Sequence, residues 1–272
     1  MSIFWHDGRA HEGDSLNLPI SSPALLYGAT IFTTLRLYQQ NLNHPLTHWQ
    51  AHCYRLASTV KVFGWNEPDW SDMERGARFL GQHYPVLRLT IFPDSLSLIT
   101  GRDLPKDLEE IQSNGVKGWV AEDPVFVRSL AQYKTGNYLG PWLAKQKAHL
   151  QGQREAILLN KQGHWLESAT GNLWGYSDGI FYTPQLSQDI LPGIARGYLV
   201  NSMERQNIRY QEVIWDFDLL SSLETIAYSN SVVEVVPFYK IEMEEQTLTF
   251  DPEHHSYGIL RQFYPNNLKL LS

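Results

Sequence analysis

The chain has 272 residues, 43% hydrophobic and 19% charged, with a formal net charge of −7. That composition supports one large core or two smaller ones and excludes a disordered chain. Scattered Lys and Arg exclude a broad nucleic-acid surface but leave room for an anionic small ligand.

A single cysteine, Cys53, excludes an intrachain disulfide. No stretch approaches the ~20 apolar residues of a membrane span. The start, Met1-Ser2-Ile3-Phe4-Trp5-His6-Asp7, lacks a basic and an apolar leader region, so a soluble cytoplasmic protein is expected.

In chain order, Ile3-Phe4-Trp5 before His6-Asp7-Gly8-Arg9 predicts a strand and tight turn, because Asp-Gly suits positive φ. The β-branched and aromatic run over 30–38 predicts a strand. Leu46, Trp49, Cys53, Leu56, Val60 and Phe63 form one helical stripe over 46–63, with Thr47 as a candidate cap. A second helix is expected over 70–83, opening near Asp69 or Ser71, then strands at 86–92 and 95–100. Gly101 to Lys106 is the composition break. Beyond it come a strand at 115–121, a helix at 138–149, a buried strand at 155–160 and a hairpin turn at 161–164. Strands at 172–176 and 180–183 precede a helix at 194–206 opened by Pro192-Gly193. Strands at 208–213, 224–229 and 232–238 and a closing helix near 254–264 complete a mixed α/β pattern with many hairpins.

Five features carry chemistry. Lys134, in Tyr133-Lys134-Thr135-Gly136-Asn137, precedes a helix; burial would favour the neutral amine that attacks carbonyls, though a single lysine is ordinarily a solvated charge. Glu167 has apolar and small flanks, which puts an acid near the core, where it needs a cation or several donors. Gly193 before Ile194-Ala195 lets backbone amides approach an anion at a helix start. Ser231 follows Asn230 at a strand junction, where a hydroxyl can meet a phosphate oxygen or simply cap a turn. Arg55 lies beside the helical stripe, where its stem can pack.

In this order, the segment from Lys134 to Pro237 resembles the fold-type IV pyridoxal-phosphate family of branched-chain and D-amino-acid transaminases and 4-amino-4-deoxychorismate lyase. The resemblance runs through Asn137-Tyr138-Leu139, Glu155-Ala156-Ile157-Leu158-Leu159-Asn160, Glu167 with Asn172-Leu173-Trp174, Thr183-Pro184, Ile190 to Arg196, and Asn230-Ser231 ahead of Val236-Pro237. Gly28, Phe32-Thr33-Thr34-Leu35-Arg36 and His52 to Leu56 extend it into the first third.

The resemblance implies an α/β, mixed α+β fold of two domains with pyridoxal 5′-phosphate between them, usually in a homodimer. The expected domains are a small one at 1–110 and a larger one at 111–272 carrying the lysine. Lys134 would hold the cofactor as a Schiff base and then move protons. Glu167 would pair with the pyridine nitrogen, keeping the ring an electron sink. Arg55, the amides following Gly193 at Ile194 and Ala195, and Ser231 would hold the phosphate. Tyr138 would lie near the ring hydroxyl.

Four departures separate this chain from the family's transaminases. The acid that follows the aromatic on the first long strand is replaced by Thr33, and Phe32-Thr33-Thr34 looks like the lyase branch. Phe92-Pro93-Asp94 replaces the Arg-Gly after the strand at 86–92. Ala195 replaces a threonine after Gly-Ile, and Ala29 also departs from the pattern. The resemblance therefore implies a lyase that converts 4-amino-4-deoxychorismate to 4-aminobenzoate and pyruvate, a step toward folate. Lys134 with Thr33 or Thr34 would be catalytic, and Arg88 and Arg128 would contact the anionic substrate. The alternatives are a transaminase of the same family and a catalytically idle relative that binds phosphate ligands or another protein.

Overall fold

The computed structural model describes residues 2–264. Its backbone forms two compact units. The first comprises the residues up to Lys106 together with Tyr133–Asn137; the second comprises Asp107–Gln132 and the residues from Tyr138 onward.

In the first unit, β1 (Ile3–His6) and β2 (Arg9–Glu12) form a hairpin. Asp7 and Gly8 turn it with φ of 51° and 74°, as Asp-Gly predicts. β2 was not expected, because Arg-Ala-His-Glu has no apolar alternation; it is a largely exposed edge strand. After α1 (Pro23–Tyr27) come β3 (Ile31–Arg36), α2 (Trp49–Phe63), α3 (Trp70–Leu80), β4 (Val86–Ile91) and β5 (Ser97–Arg102). The sheet order is β2-β1-β5-β4-β3, antiparallel throughout.

Thr47 does not cap α2. It lies in a short 3₁₀ turn, where its hydroxyl donates to Asn41 O (3.1 Å), and His48 starts the helix instead. Asp69 caps α3 by accepting from Ser71 and Asp72 N–H. One face of the sheet packs Leu35, Leu87, Leu89 and Ile99 in one core with Leu56 and Val60 of α2 and Met73, Ala77 and Leu80 of α3.

The second unit runs α4 (Leu108–Asn114), β6 (Val116–Ala121), α5 (Leu139–Leu150), β7 (Glu155–Leu159), β8 (Trp165–Ser168), β9 (Asn172–Ser177), β10 (Ile180–Pro184), α6 (Ile194–Arg205), β11 (Tyr210–Val213), α7 (Phe217–Ser222), β12 (Thr225–Asn230), β13 (Glu234–Glu242), β14 (Thr247–Thr249) and α8 (His255–Arg261). The path β9-β12-β13-β6-β7-β8 returns to β9, closing a ring of strands. One edge of β9 pairs with β12. Its other edge is divided between β8, at Asn172, and β10, from Gly175. That split positions the site described below. The short α4 has no sequence signal, because only Leu108 and Ile111 of it are buried.

Lys134 was expected in the C-terminal domain. Its segment instead joins the first unit, for a backbone reason. The Phe32 N–H donates to Lys134 O (2.8 Å), Gly136 N–H donates to Thr30 O (2.6 Å), and Ile31 bridges Thr135. The segment thus adds to the edge of β3 that β4 leaves open. No helix among the described residues is long and apolar enough to cross a membrane.

Candidate active site

Within the second unit, Glu167 on β8 pairs directly across from Asn172 on β9. The two side chains grip the same residue of the loop before α6. Glu167 Oε2 accepts the Leu191 N–H (3.2 Å), and Asn172 Nδ2 donates to Leu191 O (2.9 Å). Gly193, which starts α6, lies so close to Asn172 that a Cβ there would collide with Asn172 Oδ1. Its φ is −67°, so packing rather than backbone conformation demands glycine. α6 carries no side-chain cap, and its first N–H groups are the kind that bind anions. Arg196 is buried in the first turn. It donates to Pro184 O (3.2 Å) and pairs with Glu212 (2.7 Å), pinning α6 to β10 and β11.

The other oxygen of Glu167 pairs with Arg128 Nη1 at 2.9 Å, and both side chains are almost wholly buried. Glu167 thus accepts on both oxygens, from Arg128 Nη1 on one and from the Leu191 N–H on the other. The pair borders a cavity of about 270 Å³ that Asn160, Lys161 and Asp189 also line. The Arg128 guanidinium stands 5.5 Å from the Tyr138 ring centroid, and the Tyr138 hydroxyl donates to Ala169 O. Ser231 follows Asn230, whose Oδ1 accepts from Val232 N–H (2.9 Å) and Val233 N–H (3.0 Å). The turn is therefore closed by Asn230 and does not use the Ser231 hydroxyl.

Within the first unit, Lys134 Nζ lies 4.8 Å from the Phe32 ring centroid, and the Arg88 guanidinium lies 3.6 Å from the same centroid. Side chains alternate along a strand, so Thr34, paired with Arg88, shares Phe32's face. Thr33 points the other way. It is fully buried against α2, 2.5 Å from His52 Nδ1, and accepts from Arg55 Nη2. The two threonines therefore do not converge, and Arg128, expected at the substrate, pairs with Glu167. His52 lies three residues before Arg55, which puts both on one side of α2. Burial, reinforced by the charges of Arg55, His48 and Lys134, holds the His52 pKa well below the usual imidazole range.

The class IV aminotransferase family model matches residues 30–241. The chain belongs to the class IV aminotransferases, a family of pyridoxal-phosphate enzymes. It is 22% identical to the branched-chain-amino-acid aminotransferase of Escherichia coli (strain K12) over 263 residues, 88% of this chain and 84% of the relative. It is 23% identical to the aminodeoxychorismate lyase of Vibrio harveyi over 276 residues, 91% of this chain and 94% of the relative. The crystal structure of the E. coli branched-chain aminotransferase superposes with a TM-score of 0.80 at 20% identity, covering 96% of this chain and 92% of that one. The mixed helices and strands of this chain thus have the fold of the class IV enzymes.

The class IV cofactor asks for a lysine, an acid for its ring nitrogen and an anion cradle. Groups of these kinds are present: the first unit holds Lys134, and the second holds Glu167, a buried carboxylate paired with a cation, and the uncapped N-terminus of α6 behind a glycine that tolerates no Cβ.

Proposed function

We propose that this class IV enzyme is an aminodeoxychorismate lyase that converts 4-amino-4-deoxychorismate to 4-aminobenzoate and pyruvate. The observation that carries the reading is Thr34 on β3. Thr34 lies on the face of Phe32 and Arg88, and the amine of Lys134 comes to Phe32. A neutral hydroxyl there can hydrogen-bond a departing enolpyruvyl oxygen, and Thr33, which stands where the transaminases carry an acid, is turned into the core against α2. The relative from Vibrio harveyi and the Phe92-Pro93-Asp94 segment after β4 support the same reading.

In this assignment Lys134 holds pyridoxal 5′-phosphate. Glu167 would take its ring nitrogen, and Tyr138 would serve its ring hydroxyl. Arg55, Ser231 and the amides of Ile194 and Ala195 behind Gly193 take its phosphate. When bound, the cofactor supplies an electron sink for the carbon attached to the substrate nitrogen. Once the substrate amine has displaced it, the free Lys134 Nζ would take the proton from that carbon and could return it to the departing enolpyruvate, which leaves as pyruvate while the ring becomes aromatic. Thr34 orients the leaving group, and Arg88 holds a substrate carboxylate. Arg128 acts on Glu167, keeping a buried carboxylate paired. The working form is a homodimer.

Purified enzyme given 4-amino-4-deoxychorismate should release pyruvate and 4-aminobenzoate in equal amounts, and Lys134→Ala should abolish both products and the near-visible absorbance of lysine-bound cofactor. The second reading, a transaminase, is favoured by the identity with the branched-chain enzyme. Rapid conversion to the pyridoxamine form with an amino donor, together with no pyruvate from aminodeoxychorismate, would establish it and sink the lyase.

A further inference from the structure

His52 and Arg55 stand three residues apart on α2, so they share one side of the helix. That side meets β3 at Thr33, which is fully buried, as is His52. His52 Nδ1 is 2.5 Å from Thr33 Oγ1, and Arg55 Nη2 donates to the same oxygen. A guanidinium only donates, so one hydroxyl joins an imidazole to a guanidinium.

The other ring nitrogen, His52 Nε2, is buried with no hydrogen-bond partner among the described residues. A buried polar atom without a partner is costly, and an apolar side chain of similar size would avoid that cost. The imidazole is therefore held for its Nδ1 contact. A long arginine side chain loses rotamer freedom when it grips an anion. A guanidinium already bonded to a fixed hydroxyl has lost part of that freedom before the ligand arrives.

We infer that His52 is a positioning residue which, through Thr33, fixes the Arg55 guanidinium for an oxyanion, here the phosphate group of the cofactor. The inference rests on the assignment of Arg55 to that phosphate. His52 touches neither the cofactor nor the substrate in this scheme; it sets the geometry of the residue that does.

Comparing pyridoxal 5′-phosphate with pyridoxal, which lacks the phosphate, isolates the effect. Binding of each to the full-length apoprotein is read by quenching of tryptophan fluorescence. His52→Leu should weaken pyridoxal 5′-phosphate binding roughly tenfold and leave pyridoxal binding unchanged. His52→Asn, whose amide reaches the position of Nδ1, should recover most of the loss, and His52→Gln should not. Thr33→Val should reproduce the loss, and adding His52→Leu to it should cost nothing more. If His52→Leu does not fold, as judged by thermal unfolding, Thr33→Val and the Asn and Gln variants carry the same comparison. Equal losses for both ligands, or no loss for either, in the variants that fold overturn the inference. Arg55→Gln separates the two levels. If it keeps full selectivity for the phosphorylated ligand, the assignment of Arg55 falls and the inference falls with it. If Arg55→Gln loses selectivity while the His52 and Thr33 variants keep it, the inference alone falls.

Discussion

Arg128 and Glu167 form an ion pair whose side chains are 5% and 6% exposed. Removing one member of such a pair strands the other charge in the interior. Arg128→Met should therefore cost about 3–5 kcal/mol of stability in urea unfolding, and Arg128→Met combined with Glu167→Gln should restore much of it. A cost below about 1 kcal/mol for the single variant would mean that solvent reaches the pair. His52 sets a second residue-scale expectation. Its folded pKa lies well below the ordinary 6.5, first because of burial and then because of the Arg55, His48 and Lys134 charges. Below about pH 6.5 the unfolded chain binds a proton that the folded chain refuses, so stability falls as pH falls. The loss approaches about 1.4 kcal/mol per pH unit for this one group. Comparing unfolding free energies at pH 7 and pH 5, His52→Asn should flatten that part of the slope; an unchanged slope would assign it to other groups.

At the scale of elements, the segment bearing Lys134 behaves as an added strand on β3. Gly136 makes that docking possible, since a Cβ there would collide with Thr30 Oγ1 and come within 2.8 Å of Gly28 O. Gly136→Ala should lift the segment from β3, and the absorbance of lysine-bound cofactor should drop severalfold. Far-ultraviolet circular dichroism should remain close to wild type, because the elements of the second unit do not depend on this residue. Retention of full absorbance would show that the edge yields without moving Lys134. This docking was not legible in the sequence: Tyr133 to Asn137 has no alternation, and its partner Thr30-Ile31-Phe32 lies about a hundred residues earlier. Local pattern sufficed where one element carries its own signal. The stripe Trp49, Cys53, Leu56, Val60 and Phe63 predicts α2, and Pro192-Gly193 predicts the start of α6. It failed where pairing is distant. Nothing local predicts that Glu167 and Asn172 hold opposite sides of Leu191, or that β8 and β10 divide one edge of β9. Thr33 and Thr34 looked interchangeable until β3 was paired with β4 and packed on α2, which sends one to the helix and the other to Arg88.

At the scale of the whole molecule, the candidate site residues Lys134, Thr34 and Arg88 come from the first unit, and Glu167, Gly193 and Ser231 from the second. Their order along the chain made the family recognisable, while their grouping by unit depends on how the backbone folds. The proposed homodimer makes its own demand on the surface. α1 has five residues and buries none of them, yet it carries Leu25, Leu26 and Tyr27 at 62%, 55% and 76% exposure. An isolated helix of that length has almost no stability of its own, and several large apolar groups left together in water favour association. Covering them with a second copy would remove that apolar surface and support the helix in one step. Sedimentation equilibrium should accordingly give twice the 31.3 kDa chain mass. The double variant Leu25→Asp/Leu26→Asp should shift the protein toward the single-chain mass, because charge at the contact opposes burial. Neither leucine belongs to a unit's core, so the thermal midpoint of the dilute variant should stay close to that of wild-type protein diluted below its dissociation constant. A wild-type protein that sediments as a single chain at all concentrations would reject the dimer. A double variant that remains dimeric would keep the dimer and move the contact away from α1.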